Sequence, residues 1–416
     1  MKTIELKEYE YSEELDSDFL FSFKGYLKAL SLENAFTFEL NRIKTSSYVG
    51  TIRFKGIQIS ILPKILSESD DKKQILDNLI FMLSCTNKLK IKNSGNANIS
   101  KTKNSFIEIL ISFFAESLLR ALLSNIPHDY ESQNENLRYI KGKIDFKNDI
   151  KHNSFNKSKI YCLFDDFKED NMLNRIFKFV SSALIKLSEI EETKNKLKNI
   201  LTIYDDVIFE RVTVEKINKI TLKRSQQIFE TPLKLAELFI KNSSIHMINN
   251  RFKSIALLFD MNELFEEFVF NSLKRIYGSK VQAQFKKGML KNLSFGNDIQ
   301  PFRKYTRSDI HIKGLADCPI IIDTKYKIIN SPKDISISDI YQIMAYSRVY
   351  KSKKLILLYP QAKLKFIHKV GFYEDVLFDN DLNIYIATLN LSMSLKNRLY
   401  ENDLKNIVEK TEHIKF

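Results

Sequence analysis

Residues 320–328 have the sequence IIIDTKYKI, and residues 308–312, shortly before them, have the sequence SDIHI. The apolar run in the longer segment predicts a buried strand with two charged residues, Asp323 and Lys325, at its end. Side chains two positions apart on a strand point to the same face, so these two project together. Because an unpaired charge is costly to bury, this arrangement requires a partner or a function.

Helices and strands alternate around this segment. The predicted elements are a helix at 260–277, a strand and loop at 282–300, strands at 308–312 and 320–328, a helix at 338–350, a strand at 355–359, strands near 366 and 383, and a short helix at 395–410. This order predicts a compact α/β domain with a central mixed sheet.

The first 66 residues are predicted as strands. Residues 47–54 and 57–62 alternate apolar and polar side chains, and Lys55-Gly56 between them is typical of a two-residue hairpin turn. The following region is mainly helical. Its predicted elements are helices at 77–85, 105–124, 170–189, about 190–200 and 215–242, and a short extended element at 139–146.

The resulting fold class is α/β overall, with several domains. We predict a strand-rich N-terminal domain over 1–68, a mainly helical middle region over 69–250 and an α/β domain over 251–416. A chain of 416 residues agrees with two or three domains.

Composition excludes several classes of protein. The hydrophobic content of 44% excludes general disorder, and three distant Cys residues exclude a disulfide scaffold. The most apolar long stretch, 105–126, contains charged residues at helical spacing, so it predicts a core helix and not a membrane span. The start of the chain lacks the apolar core of a signal peptide. We therefore expect a soluble, cytoplasmic protein without a membrane partner.

The net charge of +14 favours polyanionic partners. Its distribution is more informative, because residues 271–310 contain nine Lys or Arg and only two Asp, a net charge of +7. A groove for the phosphate backbone of double-stranded DNA requires such a concentration. The candidate DNA-binding residues are Lys286, Lys287, Lys291, Arg303, Lys304 and Arg307.

Metal-dependent phosphodiester cleavage gives the charged residues a function. Mg²⁺ prefers oxygen ligands, and the carboxylates of Asp309 and Asp323 with the backbone carbonyl of Thr324 could supply them. The metal would polarise the phosphate and activate a bound water. Lys325 would orient this water or help deprotonate it, and would stabilise charge on the phosphate. The expected cofactor is Mg²⁺, with Mn²⁺ as the alternative.

Two helices add further candidates. Glu266 shares a helical stripe with Val269 and Leu273, so it is expected to face the sheet. Gln342 and Tyr346 are four residues apart on the second helix and share a face. The alternative for Glu266 is a surface or helix-pairing role. The alternative for Gln342 and Tyr346 is that they are ordinary polar positions on an amphipathic helix. For His311 and Cys318 a structural role is the favoured interpretation.

These residues resemble the PD-(D/E)xK nuclease superfamily and, more closely, McrC, the nuclease subunit of McrBC-type modification-dependent restriction systems. The segments that carry the resemblance are SDIHI, IIIDTKYKI, DIYQIMAYSRVY and LFEEFV, with GTIRFKGIQISILPKI near the N-terminus and LRYIKGKIDF and FKEDNMLNRIFKFV in the middle. One departure is Ser308, which stands where the superfamily name implies Pro.

The resemblance implies roles for these residues. Asp309, Asp323 and Lys325 match the catalytic triad, Glu266 the acid of the upstream helix, and Gln342 with Tyr346 the trailing helix motif. It also implies a partner, a hexameric McrB-like AAA+ GTPase that binds modified DNA, on which the N-terminal part would dock. The chain has no Walker A motif of its own, which agrees with a separate motor.

Two other functions stay open at this point. The first is a non-catalytic coupling subunit that docks on the AAA+ ring and activates it. The second is a stand-alone PD-(D/E)xK nuclease, which the long N-terminal region disfavours.

Overall fold

The computed structural model gives the protein two compact units. The first combines Met1–Phe106 with Leu257–Phe416, and the second is Ile107–Ala256. The residues that the structure describes are 2–64, 72–86, 105–155, 157–246, 251–295, 298–315, 317–361, 367–371, 382–391 and 395–409. The three functional parts predicted from the sequence, 1–68, 69–250 and 251–416, stay a prediction.

The fold mixes helices and strands, as predicted. The described α-helices are α1 (Ser17–Ala29), α2 (Lys72–Ser84), α3 (Phe106–Ser124), α4 (Phe146–Asn153), α5 (Met172–Ile185), α6 (Glu191–Ile203), α7 (Val214–Asn218), α8 (Glu230–Lys241), α9 (Met261–Tyr277), α10 (Ile337–Tyr350) and α11 (Leu399–Glu409). The described strands are β1 (Lys2–Lys7), β2 (Phe36–Glu39), β3 (Arg42–Thr45), β4 (Tyr48–Phe54), β5 (Ile57–Leu62), β6 (Asp129–Leu137), β7 (Lys143–Ile144), β8 (Ile160–Lys168), β9 (Ser243–His246), β10 (Arg251–Asp260), β11 (Val281–Phe295), β12 (Asp298–Ile312), β13 (Ile320–Thr324), β14 (Lys354–Pro360), β15 (Ile367–Lys369) and β16 (Asn383–Leu389).

The N-terminal sheet of the first unit has the strand order β1-β5-β4-β10. Only the end of β10, Leu257–Asp260, belongs to this unit. The predicted hairpin between β4 and β5 is confirmed. Its turn residues Lys55 and Gly56 both have positive φ, 46° and 79°, as a type I′ turn requires. Gly50 permits a close approach of β4 to β10, because a Cβ on it would lie 1.9 Å from the carbonyl oxygen of Leu257.

The prediction of strands throughout the first 66 residues was wrong for one segment. Helix α1 lies there, and the Asp16 side chain caps it by accepting a hydrogen bond from the backbone N–H of Phe19. Phe19, Phe23 and Leu27 recur at a spacing of four and are buried, which is the helical pattern.

The C-terminal part of the first unit contains a six-stranded sheet in the order β11-β12-β13-β14-β16-β15. Strands β13, β14 and β16 run parallel, whereas β11, β12 and β15 pair antiparallel. This is the mixed sheet that the sequence predicted. Helix α10 connects β13 to β14, and its Ile343, Tyr346 and Tyr350 share a buried cluster with the sheet residues Ile321 and Leu355.

Two strand boundaries in this sheet differ from the prediction. Strand β12 extends far beyond the predicted 308–312, because it forms a long hairpin with β11. Residues 301–305 of this hairpin are exposed, and their sequence lacks a clear apolar alternation. Strand β13 ends at Thr324 and not at 328. After it the chain turns, with the Lys327 N–H donating to the Lys325 carbonyl. Lys325 therefore lies just beyond the strand end.

The second unit is mainly helical, as predicted, but it also contains a three-stranded sheet in the order β6-β8-β7. The extended element predicted at 139–146 is only the short β7, and α4 begins at its end. The helix predicted at 215–242 is divided into α7, a 3₁₀ turn at Arg224–Phe229 and α8. In this unit Arg251–Ile255 of β10 pairs with β9. No helix in the described residues is both long and apolar enough to cross a bilayer.

Candidate active site

The two predicted metal-binding carboxylates lie on adjacent strands. Strand β12 pairs antiparallel with β13, with Ile310 opposite Ile322, so that Asp309 and Asp323 are cross-strand neighbours. Asp309 Oδ2 accepts hydrogen bonds from the Thr324 backbone N–H at 2.8 Å and from the Thr324 hydroxyl at 3.0 Å. These bonds hold the Asp309 side chain across the strand ends.

Asp323 is fully buried, with 0% of its surface exposed. Lys325 Nζ lies 2.7 Å from Asp323 Oδ2, whereas Oδ1 has no hydrogen-bond partner among the described residues. Burial raises the pKa of Asp323 to about 7, the neighbouring Asp309 adds to this rise, and Lys325 opposes it. A second cation beside these carboxylates would relieve their repulsion and satisfy the open oxygen.

Lys325 is held by a chain of polar side chains on α10. Its Nζ donates to Gln342 Oε1 at 3.0 Å, and Gln342 Nε2 donates to the Tyr346 hydroxyl at 2.7 Å. Tyr346 in turn donates to the Arg307 carbonyl at 2.9 Å, which connects the helix to β12. Burial alone lowers the pKa of Lys325, but Asp323 and Asp309 raise it above its ordinary value, so the ammonium form is favoured.

Glu266 lies on α9, near enough to Asp309 for the charge of Asp309 to act on it. Burial and the charge of Asp309 raise the pKa of Glu266, although a hydrogen bond from Gln284 lowers it. Gln284 Nε2 donates to Glu266 Oε1 at 3.1 Å, and Arg307 donates to Gln284 Oε1 at 3.0 Å. Gln284 was not predicted from the sequence. Its positive φ of 45° in a strand is visible only in the structure.

The donor set fits a hard divalent cation better than zinc. Within the described ranges, no three His, Cys, Asp or Glu side chains converge as a metal-binding group. Mg²⁺, however, retains several waters and needs only one or two carboxylates. Asp309 and Asp323 provide two, and the unpartnered Asp323 Oδ1 is an oxygen of the kind Mg²⁺ binds. Thr324 contacts Asp309 through its backbone N–H and its hydroxyl. The role of the Thr324 backbone carbonyl as a metal ligand stays a prediction.

The predicted DNA-binding residues all lie on the β11–β12 hairpin. Five are exposed and one, Lys287, is half-buried; the exposed ones are Lys286, Lys291, Arg303, Lys304 and Arg307. Lys286 Nζ lies 4.4 Å from the ring centre of Tyr305, an exposed aromatic residue on the opposite strand. Cations interleaved with exposed rings form a surface suited to a phosphate backbone and its bases.

His311 does not join the carboxylates. Its ring stacks on Phe285, with ring centres 4.6 Å apart and planes at 10°. Burial lowers the pKa of His311 to about 4, and Lys313 and Lys287 contribute to this lowering.

A second buried carboxylate, Glu8, lies beside the residue that follows Lys325. Glu8 Oε2 accepts hydrogen bonds from the Tyr326 hydroxyl at 3.1 Å and from the Lys64 N–H at 2.8 Å. Burial raises the pKa of Glu8 to about 7, against lowering by these two hydrogen bonds. Sequence reasoning missed Glu8, because its partners are 56 and 318 residues away along the chain.

Comparison with known proteins places this chain in a family. The family model described as "McrBC 5-methylcytosine restriction system component" matches residues 43–360. The chain belongs to this family. The predicted resemblance to McrC is therefore confirmed.

Individual relatives of this McrBC family member agree with the assignment. The chain is 22% identical, over 318 residues, to the type IV methyl-directed restriction enzyme EcoKMcrBC of Escherichia coli strain K12. The matched region covers 69% of this chain and 84% of that protein.

Two solved structures share the fold. A chain of the refined half-complex from the tetradecameric assembly of Thermococcus gammatolerans McrB AAA+ hexamers with bound McrC matches with a TM-score of 0.75 and 18% identity, covering 98% of this chain and all of that chain. A chain of the cryo-EM structure of the Thermococcus gammatolerans McrBC complex matches with a TM-score of 0.56 and 20% identity, covering 66% of this chain and 88% of that one.

Proposed function

We propose that this McrBC family member is the DNA endonuclease subunit of its restriction complex. The observation that carries the proposal is the pair of carboxylates Asp309 and Asp323 on adjacent strands, with Lys325 Nζ 2.7 Å from Asp323. Two acids and a lysine at the ends of paired strands match the PD-(D/E)xK pattern in both order and position.

Asp309 and Asp323 would hold Mg²⁺, or Mn²⁺ in its place, with the Thr324 carbonyl as a further ligand. When bound, the cation would polarise the scissile phosphate and lower the pKa of a coordinated water. The two hydrogen bonds from Thr324 keep Asp309 Oδ2 in a fixed position, so the carboxylate does not have to be ordered when DNA arrives.

Lys325 would act as a cation that orients the water and stabilises the developing charge on the phosphate. Its raised pKa supports this role over that of a general base, since a proton acceptor must first lose its own proton. Gln342 and Tyr346 would position the ammonium group through their chain of hydrogen bonds, and their carbonyl anchor at Arg307 ties this chain to β12.

Glu266 would provide the third acid. Its raised pKa makes it a better proton acceptor than an ordinary carboxylate, and Gln284 fixes one of its oxygens. Because Gln284 also contacts Arg307, the orientation of Glu266 is linked to the basic hairpin. Double-stranded DNA would lie along that hairpin, with its phosphates near the exposed Lys and Arg side chains.

The N-terminal part would dock on a hexameric McrB-like AAA+ GTPase and stimulate it. The similarity to a chain of the Thermococcus gammatolerans assembly of McrB AAA+ hexamers with bound McrC supports this proposal. The absence of a Walker A motif in the sequence also supports a separate motor. A location in the cytoplasm, where DNA and nucleotides are available, stays part of the proposal.

The test is cleavage of methylated and unmethylated plasmid with Mg²⁺, by the protein alone and with its AAA+ partner and GTP. Wild type is compared with Asp323→Ala and with Asp206→Ala, which removes an exposed acid from the second unit. We expect cleavage by the complete mixture, its loss in Asp323→Ala alone, and unchanged GTP hydrolysis in all three.

Other outcomes would select another function. Cleavage that survives in Asp323→Ala would exclude the proposed active site. GTPase stimulation without cleavage in any mixture would establish a coupling subunit, and cleavage by the protein alone would establish a stand-alone nuclease.

A further inference from the structure

A cavity of about 400 Å³ lies beside the candidate active site, at the turn between β12 and β13. The aromatic residues Phe285, His311 and Tyr350 belong to its lining. The ring centres of His311 and Tyr350 are 5.9 Å apart. The wall is therefore a set of stacked or tilted rings against which a flat group can pack.

His311, one of the residues that line this cavity, carries an unsatisfied polar atom. The residue is 2% exposed, and its Nδ1 has no hydrogen-bond partner among the described residues. A buried polar atom without a partner is unfavourable, so a ligand that hydrogen-bonds to this nitrogen would gain free energy on binding.

Two ammonium groups border the same cavity. Lys313 Nζ lies 4.8 Å from the ring centre of Phe285, and Lys287 Nζ lies 6.0 Å from that of Tyr350. One carboxylate, Asp317, also belongs to the lining, so the charged groups sum to a positive value. The cavity thus combines an aromatic wall, a hydrogen-bonding nitrogen and a site for an anion.

We propose that this cavity binds an unpaired deoxynucleotide of the DNA strand. Its base would pack against the rings and hydrogen-bond to His311 Nδ1, and its phosphate would meet Lys287 and Lys313. A base held in a duplex is covered by its neighbours on both sides, so only a base outside the stack can enter. Stacking on aromatic side chains and contacts to Lys are the two means by which proteins hold unpaired nucleotides.

The position of the cavity relates it to cleavage. His311 is two residues from Asp309 on β12, which separates their Cα atoms by roughly 7 Å at ~3.3 Å per residue. A nucleotide in the cavity would thus be close to the phosphate at the carboxylates. This inference rests on the proposed function for its place in the reaction, but nucleotide binding itself can be measured without cleavage.

The test is isothermal titration calorimetry of the full chain, without metal, using 5′-deoxycytidine monophosphate, deoxycytidine and inorganic phosphate as separate probes. We expect the monophosphate to bind at least about tenfold more tightly than either part, because it gains both sets of contacts. Equal affinity for phosphate and for the monophosphate would reduce the cavity to a simple anion site. No binding of the monophosphate would overturn the proposal.

Variants show whether the nucleotide binds at this cavity. Lys313→Gln removes an exposed cation from the rim, and His311→Phe retains the ring while it removes the nitrogen. Each is expected to weaken monophosphate binding by about tenfold, the usual loss for one such hydrogen bond or charge contact. Lys333→Gln, the same change at an exposed site outside the lining, should have no effect. Unchanged affinity in both cavity variants would contradict the proposal.

A fourth variant separates this inference from the proposed function. Asp323→Ala should bind the monophosphate like wild type, even though it is expected not to cleave DNA. If wild type fails to cleave but binds the nucleotide in a manner sensitive to Lys313, only the proposed function is wrong. If wild type cleaves and the nucleotide does not bind, only the cavity assignment is wrong.

Discussion

Asp323 and Glu8 are two buried carboxyls in the same unit, with exposed fractions of 0% and 2%. Burial is the main cause that raises the pKa of each to about 7. Their surroundings differ. The charges of Asp309 and Lys325 are the largest influences on Asp323 after burial. For Glu8 the hydrogen bonds from the Lys64 N–H and the Tyr326 hydroxyl come next, and the charges of Asp260 and Lys64 contribute less.

The difference distinguishes the carboxyl that we propose to be reactive from one that we expect to be structural. Two neutral donors hold Glu8 Oε2, although its Oε1, like Asp323 Oδ1, has no hydrogen-bond partner among the described residues. The repulsion between Asp323 and Asp309 is only partly balanced by Lys325, and it makes a bound cation favourable. A raised pKa alone does not identify a catalytic acid; the charge of the neighbouring groups does.

The largest effect that we expect comes from removing the cation beside Asp323. Lys325→Ala should lower the cleavage rate by about 10²–10⁴-fold, the range for one acid–base or charge-stabilising group. The rate is measured with the complete mixture under single-turnover conditions, with Lys333→Ala as the control at an exposed lysine. Cleavage within twofold of wild type would remove Lys325 from the mechanism and weaken the contrast with Glu8.

The next effect concerns stability and pH. The Glu8 carboxyl of the unfolded chain loses its proton near pH 4.5, its ordinary pKa. In the folded protein the carboxyl keeps this proton up to about pH 7. The free energy of unfolding should therefore fall as pH rises through this window, by about 3 kcal/mol from this one group. The Gln side chain of Glu8→Gln is neutral at every pH. The difference in the free energy of unfolding between pH 5 and pH 8, measured by urea unfolding, should therefore be smaller in this variant than in wild type.

Glu135→Gln is the matched control, since it removes the same charge from an exposed position on β6. Its pH dependence should equal that of wild type. Cleavage per folded molecule should be unchanged in Glu8→Gln, because glutamine can still accept the Tyr326 hydrogen bond. A variant with the pH dependence of wild type would show that Glu8 is ionised when buried.

A smaller effect is expected for the side chain that orients Lys325. Gln342→Ala should reduce cleavage by about 10–100-fold, the range for an outer partner of a metal site, because the ammonium loses its acceptor. Tyr346→Phe removes only the hydroxyl that bonds to Gln342 and should reduce cleavage less. If Tyr346→Phe is the more damaging of the two, the chain of hydrogen bonds does not act through Lys325.

The smallest effect is expected on the hairpin. Lys286→Ala should weaken DNA binding equally for all sequences, and should lower the slope of log affinity against log salt by about one unit. Binding is measured at several salt concentrations, and Lys28→Ala in α1 is the control. A change in slope for Lys28→Ala instead would place the DNA on another surface.

Local patterns account for the parts of the fold that were predicted well. The β4–β5 hairpin has alternating side chains and a turn with two residues at positive φ, and α9 and α10 have clear apolar stripes. Strand β6, with the sequence DYESQNENL, was missed because its side chains are largely exposed and show no apolar alternation. The outer part of β11 and β12 was underestimated for the same reason.

The candidate site could be listed from the sequence but not assembled from it. Asp309, Asp323 and Lys325 were named from spacing, and the hydrogen bonds of Thr324 and Gln342 then required the register of β12 against β13. Gln284 and Glu8 were not predicted, since their contacts join segments that are distant in sequence. Long-range pairing is set by packing and not by local propensity.

The division of the first unit into Met1–Phe106 and Leu257–Phe416 has a consequence for biosynthesis. The N-terminal segment emerges from the ribosome first, but β10, which completes its sheet, is made only after the whole of the second unit. At ~5–20 residues per second, synthesis of the intervening segment takes roughly 10 to 30 seconds. During that time the side of β4 that pairs with β10 has no strand beside it. The sheet can form only if aggregation at this edge is slower than synthesis or if a chaperone covers the edge.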